Sequence, residues 1–185
     1  LHFGLDRVNN APGNFDQDKL FWLASEYMKL LPLEEKVAGA IPYLQKAGIF
    51  ADTVTADQRA KLTQVIEACG DRLKLFSDVM TYGAFFFKEP EYDQAALSKR
   101  VKKEGIPALL KEFAGVMQGL PTFDKAALEQ ALHQFCEARG LKLADMNHAL
   151  RVATTGVPVG PGLFDCLHIL GKNEVIKRIE KALAM

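Results

Sequence analysis

The sequence is poor in cysteine and in long apolar stretches, and both absences bear on where the protein works. Its 185 residues include three cysteines, Cys69, Cys136 and Cys166, with no C-x-x-C spacing. An odd and scattered set of this kind excludes a disulfide scaffold and is typical of buried thiols in a reducing compartment. No apolar run approaches the roughly 18 to 20 residues that a membrane span needs, and the first residues lack a signal-peptide pattern. We therefore predict a cytoplasmic protein with no membrane partner.

Net charge is also absent, because 23 Lys and Arg residues balance 23 Asp and Glu residues. A protein without an excess of positive charge has no bulk field that attracts nucleic acid, so any such binding must come from local patches. The length and the 49% share of hydrophobic residues indicate a globular chain of one domain or two small ones.

Catalytic signatures are missing as well. The sequence contains no G-x-S-x-G, G-x-x-x-x-G-K-[ST] or G-x-G-x-x-G run, which excludes the common nucleophile-elbow and phosphate-loop sites. Of the four histidines, His133 comes nearest to a metal-ligand spacing, since it lies three residues before Cys136. One such pair is a weak indication of a metal site, so we interpret the histidines as structural or surface residues. We predict no catalytic residue, no metal site and no cofactor in this chain.

Helical periodicity is what the sequence does contain, and it predicts an all-α fold. Apolar residues recur at three- and four-residue steps, with Asp16 and Asp124 placed as N-caps and Pro32 and Gly140 as stops. The predicted helices are 16–31, 33–47, 55–69, 93–103, 106–117, 124–139, 142–154 and 162–184, with a short helix or turn at 72–80. The aromatic run 85–87, followed by a Pro90 break, predicts a boundary between two subdomains.

Basic residues form two groups. The first group is Lys99, Arg100, Lys102 and Lys103, and the second, looser group is Arg151 with Lys172, Lys177, Arg178 and Lys181. A solvated helix face explains the first group. Arg151 differs in context, because it precedes the Gly- and Pro-rich turn 156–162, which ends at a predicted helix start. A guanidinium and the free N–H groups of a helix start suit a nucleic-acid base edge or a phosphate.

Three motifs together resemble one family. The runs L-R-V-A-T-T-G at 150–156 and G-P-G-L-F-D at 160–165 resemble the C-terminal signature of bacterial and organellar glutamyl-tRNA synthetases, which are class I aminoacyl-tRNA synthetases. The run F-D-Q-D-K-L-F-W-L at 15–23, followed by Tyr27, is similar to a stretch of the same family. The segment 86–92 resembles its connector between two helical subdomains. The motifs occur in the family's order and span nearly the whole chain.

The resemblance implies an architecture and a function. It implies two consecutive helical anticodon-binding subdomains, 32–84 and 85–185, preceded by the end of a stem-contact region at 1–31. The implied function is recognition of the glutamate tRNA anticodon, within a ligase that attaches glutamate to tRNA. ATP and Mg²⁺ would serve an N-terminal catalytic domain of the same polypeptide, whose HIGH-like and KMSKS-like sequences this chain lacks. The run L-S-K-R at 97–100 imitates the second of these, and we interpret it as part of a helix.

The resemblance also implies site residues. It places anticodon contacts at Arg72, at Arg151 and in the loop of Gly160, Pro161, Gly162 and Leu163, with His133 where some members carry another Arg. Two departures are Ala24 in place of the family's Asn, and Gly160 in place of a Ser or Thr. Arg72 resembles members that read the third anticodon base strictly, although the sequence leaves open whether glutamine tRNA is also charged. The alternative is a freestanding helical adaptor that binds no RNA.

Overall fold

The computed structural model describes residues 15–185, and this part of the chain contains helices and no β-strand. The all-α prediction is therefore confirmed. The helices are α1 (Gln17–Leu30), α2 (Leu33–Lys46), α3 (Ala56–Cys69), α4 (Val79–Tyr82), α5 (Gln94–Ala96), α6 (Ile106–Gln118), α7 (Lys125–Arg139), α8 (Leu143–Thr155), α9 (Leu163–Leu170) and α10 (Lys172–Ala184). None of these helices is long and apolar enough to cross a membrane.

Side-chain caps explain why several helices begin where the sequence predicts. The Asp16 carboxylate accepts a hydrogen bond from the Lys19 backbone N–H at 3.0 Å. Asp124 accepts from the Ala127 N–H at 2.9 Å, and Thr55 forms a reciprocal capping box with Gln58. Each cap satisfies N–H groups that have no partner within the helix. The starts of α1, α3 and α7 thus follow from local chemistry.

Two predicted helices are wrong in detail. The predicted helix 162–184 is broken at Gly171, whose φ of 80° and ψ of 158° leave the helical region and separate α9 from α10. The predicted helix 93–103 consists of the three-residue α5 and a π-helical turn, Leu97–Val101. Pro42 lies inside α2, which continues through it without a break, although proline in a helix interior favours a kink.

The buried residues form one continuous core. It includes Leu44 of α2, Leu62 of α3, Leu110 of α6 and Leu150 of α8. Helix α2 packs on α3, while α8 packs on the π-helical turn, on α6 and on α10. Helix α9 contacts α3 as well as α7, so it joins the two halves of the chain. The division into 32–84 and 85–185 stays a prediction.

Helix α1 exposes much of its apolar surface. Met28 is buried in the core, whereas Trp22 is 59% exposed and Leu30 is 80% exposed. The other large exposed apolar side chains here are Phe15, Leu20, Phe21, Leu23 and Tyr27. The predicted stem-contact region 1–31 includes residues 1–14, which lie outside the described residues, and its assignment stays a prediction.

Residues 85–92, here called the connector, are bound tightly to the end of α8. The Tyr92 hydroxyl donates to the Ala153 carbonyl oxygen at 3.1 Å, and the Asp93 N–H donates to the Gly156 oxygen at 2.9 Å. Gly156 has a φ of 82°, and a Cβ there would collide with the backbone oxygen of Glu91. Glycine is therefore required by both the backbone conformation and the close approach of the connector.

Arg178 of α10 ties three segments together from a buried position. Its side chain is 3% exposed and donates to Glu174 Oε1 at 2.6 Å. It also donates to the Thr154 carbonyl oxygen at 3.0 Å and to the Lys88 carbonyl oxygen at 3.3 Å. Because the carbonyl oxygens belong to α8 and the connector, one guanidinium fixes both segments against α10. This arrangement holds the C-terminal end of α8, from which Arg151 projects.

Candidate nucleic-acid interface

Arg151 fastens the Gly- and Pro-rich turn to α8. Its Nη1 donates to the Pro161 carbonyl oxygen at 2.6 Å, and Gly160 lies against the same nitrogen. The side chain is half-buried, and this burial lowers the pKa of Arg151. A guanidinium has five N–H donors, so the bond to Pro161 leaves others for a ligand.

The two threonines of the 150–156 motif have structural roles. Thr154 Oγ1 donates to the Leu150 carbonyl oxygen at 2.8 Å, and Thr155 Oγ1 donates to the Arg151 carbonyl oxygen at 2.8 Å. Both hydroxyls are therefore used within the last turn of α8. They hold the backbone that carries Arg151.

The start of α9 is less open to anions than the sequence suggests. Gly162 is its N-cap, and the Asp165 carboxylate lies so close that a Cβ at Gly162 would collide with it. Asp165 also forms an ion pair with Lys125. A carboxylate in the first turn already complements the helix dipole, which makes this helix start a poor phosphate site. Leu163 is 7% exposed, so most of its side chain packs in the core.

Arg72 lies close to Arg151 although the two belong to different halves of the chain. It ends the 3₁₀ turn Gly70–Arg72, which directly follows α3, and its side chain is exposed. Burial is the main cause that lowers the pKa of Arg151, and the positive charge of Arg72 lowers it further. Within residues 15–185, no carboxylate forms an ion pair with either guanidinium. The charge of Arg72 thus acts on Arg151, and the role that the resemblance implies for both arginines stays a prediction.

Two buried thiols lie beneath these arginines. Burial raises the pKa of Cys69 to about 12 and that of Cys166 to about 12. The Cys166 Sγ lies 3.9 Å from the Pro161 carbonyl oxygen, under the turn that Arg151 holds. The interpretation of the cysteines as buried thiols is confirmed, since Cys136 is buried too.

His133 is exposed in the middle of α7. In the part of the chain that the structure describes, no hydrogen bond connects it to Arg151 or to the turn. Its assignment to the site rests on the resemblance alone and stays a prediction.

The second basic group of the sequence does not form a common surface with Arg151. Lys177 and Lys181 form ion pairs with Glu89 of the connector, at 3.0 Å and 2.8 Å. Lys172 donates to the Leu120 carbonyl oxygen at 2.7 Å, and Arg178 is buried as described above. These four cations are therefore bound within the fold, and Arg151 is the member of the group that lies at the turn.

A groove that sequence reasoning missed opens between α3 and α9. It encloses about 450 Å³ and is lined by Gln64, Glu67, Lys125, Asp165 and His168, among others. His168 Nδ1 lies 3.0 Å from the Phe123 carbonyl oxygen and donates to it, since a carbonyl only accepts. The one feature of the sequence that points to this groove is the 160–165 motif, because Asp165 belongs to it. The groove has polar walls and adjoins the turn held by Arg151.

Comparisons with known proteins agree with this architecture. The family described as "Anticodon binding domain" matches residues 35–183. The chain belongs to this family. It is 38% identical to a glutamate–tRNA ligase of Chlorobium luteolum over 188 aligned positions, which cover 98% of the chain and 37% of that enzyme. A glutamate–tRNA ligase of Herpetosiphon aurantiacus is 36% identical and is likewise covered over 37% of its length.

A solved structure of similar fold is the glutamate tRNA ligase of Elizabethkingia meningosepticum. It superposes with a TM-score of 0.83 at 26% identity, covering 99% of this chain and 35% of that one. The chain therefore spans about a third of the length of the ligases that it matches, and the resemblance found in the sequence is confirmed. Among residues 15–185, no group of three or more His, Cys, Asp or Glu side chains could hold a metal ion.

Proposed function

We propose that this chain binds the anticodon loop of a glutamate tRNA, as the tRNA-binding part of a glutamate–tRNA ligase. The observation that carries the proposal is the position of Arg151, bound to the Pro161 carbonyl oxygen of the 156–162 turn, within a chain of the anticodon binding domain family. The ligation reaction, its ATP and Mg²⁺, and an N-terminal catalytic domain belong to the remainder of the polypeptide. A cytoplasmic location is part of the same proposal.

The chemistry of the two arginines favours RNA as the ligand. Two guanidiniums that lie close together without a carboxylate repel each other, and an anionic or acceptor-rich ligand relieves that repulsion. Anticodon bases are unpaired and can be splayed out, so their edges are open to hydrogen-bond donors. Arg151 is held in place by its bond to Pro161, which lowers the entropy lost when its other donors bind a base.

Replacement of Arg151 tests this role. A charge-assisted hydrogen bond contributes about 1.5 to 3 kcal/mol, so Arg151→Ala is expected to weaken binding to a glutamate anticodon stem-loop by roughly tenfold or more. Arg151→Lys keeps one donor for the turn and loses the planar fork, and it should also bind more weakly than the parent. Arg59→Ala is the matched control, because Arg59 is an exposed arginine of α3 paired with Glu34 at 2.7 Å. Equal affinity of the parent and Arg151→Ala would contradict the assignment.

Arg72 is proposed to read the third anticodon base. A guanidinium supplies only donors, so it matches the O2 and N3 acceptors of cytosine and is poorly placed against a larger purine. The parent should prefer a stem-loop with C at this position over one with G, and Arg72→Gln should lose that preference. If the substitution leaves the preference unchanged, Arg72 serves only to complement the end of α3.

The chain alone is proposed to lack ligase chemistry. In an assay of glutamate-dependent exchange of pyrophosphate into ATP, it should show no activity above a blank. Exchange by this chain would contradict the proposal that catalysis resides in another part of the ligase. Lys99 and Arg100 would then become candidates for a nucleotide-binding loop.

A further inference from the structure

A small basic pocket lies at the other end of α8 from the candidate interface. It is lined by Lys99 and Arg100 of the π-helical turn, by Lys103, by Ile106 at the start of α6 and by Asp145, and it encloses about 210 Å³. One water occupies about 30 Å³ in the liquid, so the space can hold a phosphate group and several waters. We call this site the basic pocket.

Two of the cations that line the pocket, Lys99 and Arg100, lie on the π-helical turn. The Lys102 N–H donates to the Leu97 carbonyl oxygen at 3.0 Å, a bond that spans five residues in place of four. Such turns are rare and occur frequently at functional sites. Lys102 itself points elsewhere, because its Nζ donates to the Met185 backbone oxygen at 2.9 Å. The turn therefore separates Lys102 from the three cations that line the pocket.

The cations of the basic pocket form no ion pair within residues 15–185, whereas several other cations of the second half do. Within the described residues, Lys99, Arg100 and Lys103 take part in no ion pair. The cations of the second half that do pair with carboxylates include Lys88, Lys125, Arg139, Lys177 and Lys181. In a chain with zero net charge, this pocket is a local concentration of unneutralised positive charge.

Asp145 does not cancel this charge. It lies in the first turn of α8, where a carboxylate stabilises the helix start through the dipole. Three cations against this one carboxylate leave the pocket positive. An anion that also accepts hydrogen bonds is the ligand such a site favours, and lysines bind phosphate as point charges without reading a base.

We propose that the basic pocket binds a backbone phosphate of the same RNA whose anticodon contacts Arg151, an inference that rests on the proposed function. Asp145 and Arg151 are six residues apart on α8, which places them about 9 Å apart along the helix axis and about 120° apart around it, so the RNA must curve around α8 to contact both. One RNA hairpin can span that distance. The pocket thus contributes affinity that is independent of sequence, while Arg72 and Arg151 supply discrimination.

The test compares two doubly substituted chains with the same loss of charge. Lys99→Gln with Lys103→Gln removes two cations from the pocket, and Lys46→Gln with Lys111→Gln removes two exposed lysines that lie outside it. Binding of each to the glutamate anticodon stem-loop, and to the same hairpin with a replaced anticodon, is measured between about 50 and 200 mM salt.

The salt dependence gives the expected result. Each lost phosphate contact lowers the slope of log affinity against log salt by about 0.7. Since the pocket holds one phosphate, the pocket variant should lose about 0.7 from its slope, and its affinity deficit relative to the parent should shrink about 2.6-fold across that salt range, equally for both hairpins. The control variant should keep the parent slope. Lys99→Arg with Lys103→Arg should restore it.

Three outcomes overturn the inference. The first is an equal slope for the pocket and control variants, and the second is a loss confined to the hairpin with the glutamate anticodon. In both, the proposed function stands if Arg151→Ala still weakens binding. The third is a parent chain that binds neither hairpin, in which case both proposals fall. If circular dichroism shows that the pocket variant is unfolded, Lys103→Gln alone is used, with an expected slope loss of at most about 0.7 and an unchanged slope as the contradicting result.

Discussion

Removal of the Arg178 guanidinium is expected to destabilise the fold more than any surface substitution in α10. The side chain is 3% exposed and donates to a carboxylate and to two backbone carbonyl oxygens. Arg178→Ala leaves the buried Thr154 oxygen, the part-buried Lys88 oxygen and the 32% exposed Glu174 carboxylate without their donor. Breaking a buried ion pair from one side costs about 3 to 5 kcal/mol.

The magnitude can be read from unfolding curves. For a chain of this size, each kcal/mol shifts the midpoint of thermal unfolding by about 2 to 4 °C, so Arg178→Ala should lower it by roughly 6 to 20 °C. Urea unfolding, followed by circular dichroism, gives the free energy directly. Arg178→Met separates packing from hydrogen bonding, because it keeps an apolar stem and has no donor.

Lys181→Ala is the matched control in the same helix. Lys181 pairs with Glu89 at 2.8 Å, but both side chains are about half exposed. Exposed pairs contribute only about 0 to 1 kcal/mol. If Arg178→Ala loses no more stability than Lys181→Ala, Arg178 does not join α8, α10 and the connector in the way described here.

Further predictions concern backbone strain, acid and thiols. Gly156→Ala should lower the free energy of unfolding by at least about 1 to 3 kcal/mol, because Gly156 has a φ of 82° and lies against the connector. Gly115→Ala should raise it by about 0.5 to 1 kcal/mol, because Gly115 lies inside α6 and a Cβ there meets nothing within 4 Å. Urea unfolding measures both changes. Hydrogen bonds from two lysines of α10 lower the pKa of Glu89 to about 2. The ion pairs of Glu89 therefore contribute to the free energy of unfolding above the ordinary glutamate pKa, and this contribution is lost as the pH falls toward about 2. Glu89→Gln should make the free energy of unfolding less dependent on pH in this range, by less than about 1 kcal/mol because the side chain is exposed. Cys69 and Cys166, with pKa values of about 12, should resist alkylation in the folded chain at pH 8 and react after unfolding, as counted by mass spectrometry. Rapid alkylation of the folded protein would show that the thiols are accessible.

Local chemistry explains which parts of the fold the sequence could predict. Asp16, Thr55 and Asp124 begin helices through hydrogen bonds that span three residues, so their effect is visible in a short window of sequence. Gly171 shows the limit of such reasoning. Its neighbours continue the apolar periodicity, and the packing of α9 on α3 and α7 decides that the helix ends there.

The candidate site could be predicted only in part, because its contacts are distant in sequence. The electrostatic effect of Arg72 on Arg151 acts between the end of α3 and α8, and no periodicity in the sequence predicts it. The resemblance supplied both residues. The ion pairs of Lys177 and Lys181 could not be predicted for the same reason, since their partner Glu89 lies in the connector, about half the chain away.

The central claim is that this chain reads an anticodon, and an equilibrium titration tests it most directly. The chain is titrated with a labelled glutamate anticodon stem-loop and with the same hairpin carrying other anticodon bases, at one salt concentration. One charge-assisted hydrogen bond to a base is worth about 1.5 to 3 kcal/mol, so the glutamate hairpin should bind at least about tenfold more tightly. Equal affinity for the two hairpins would contradict the account.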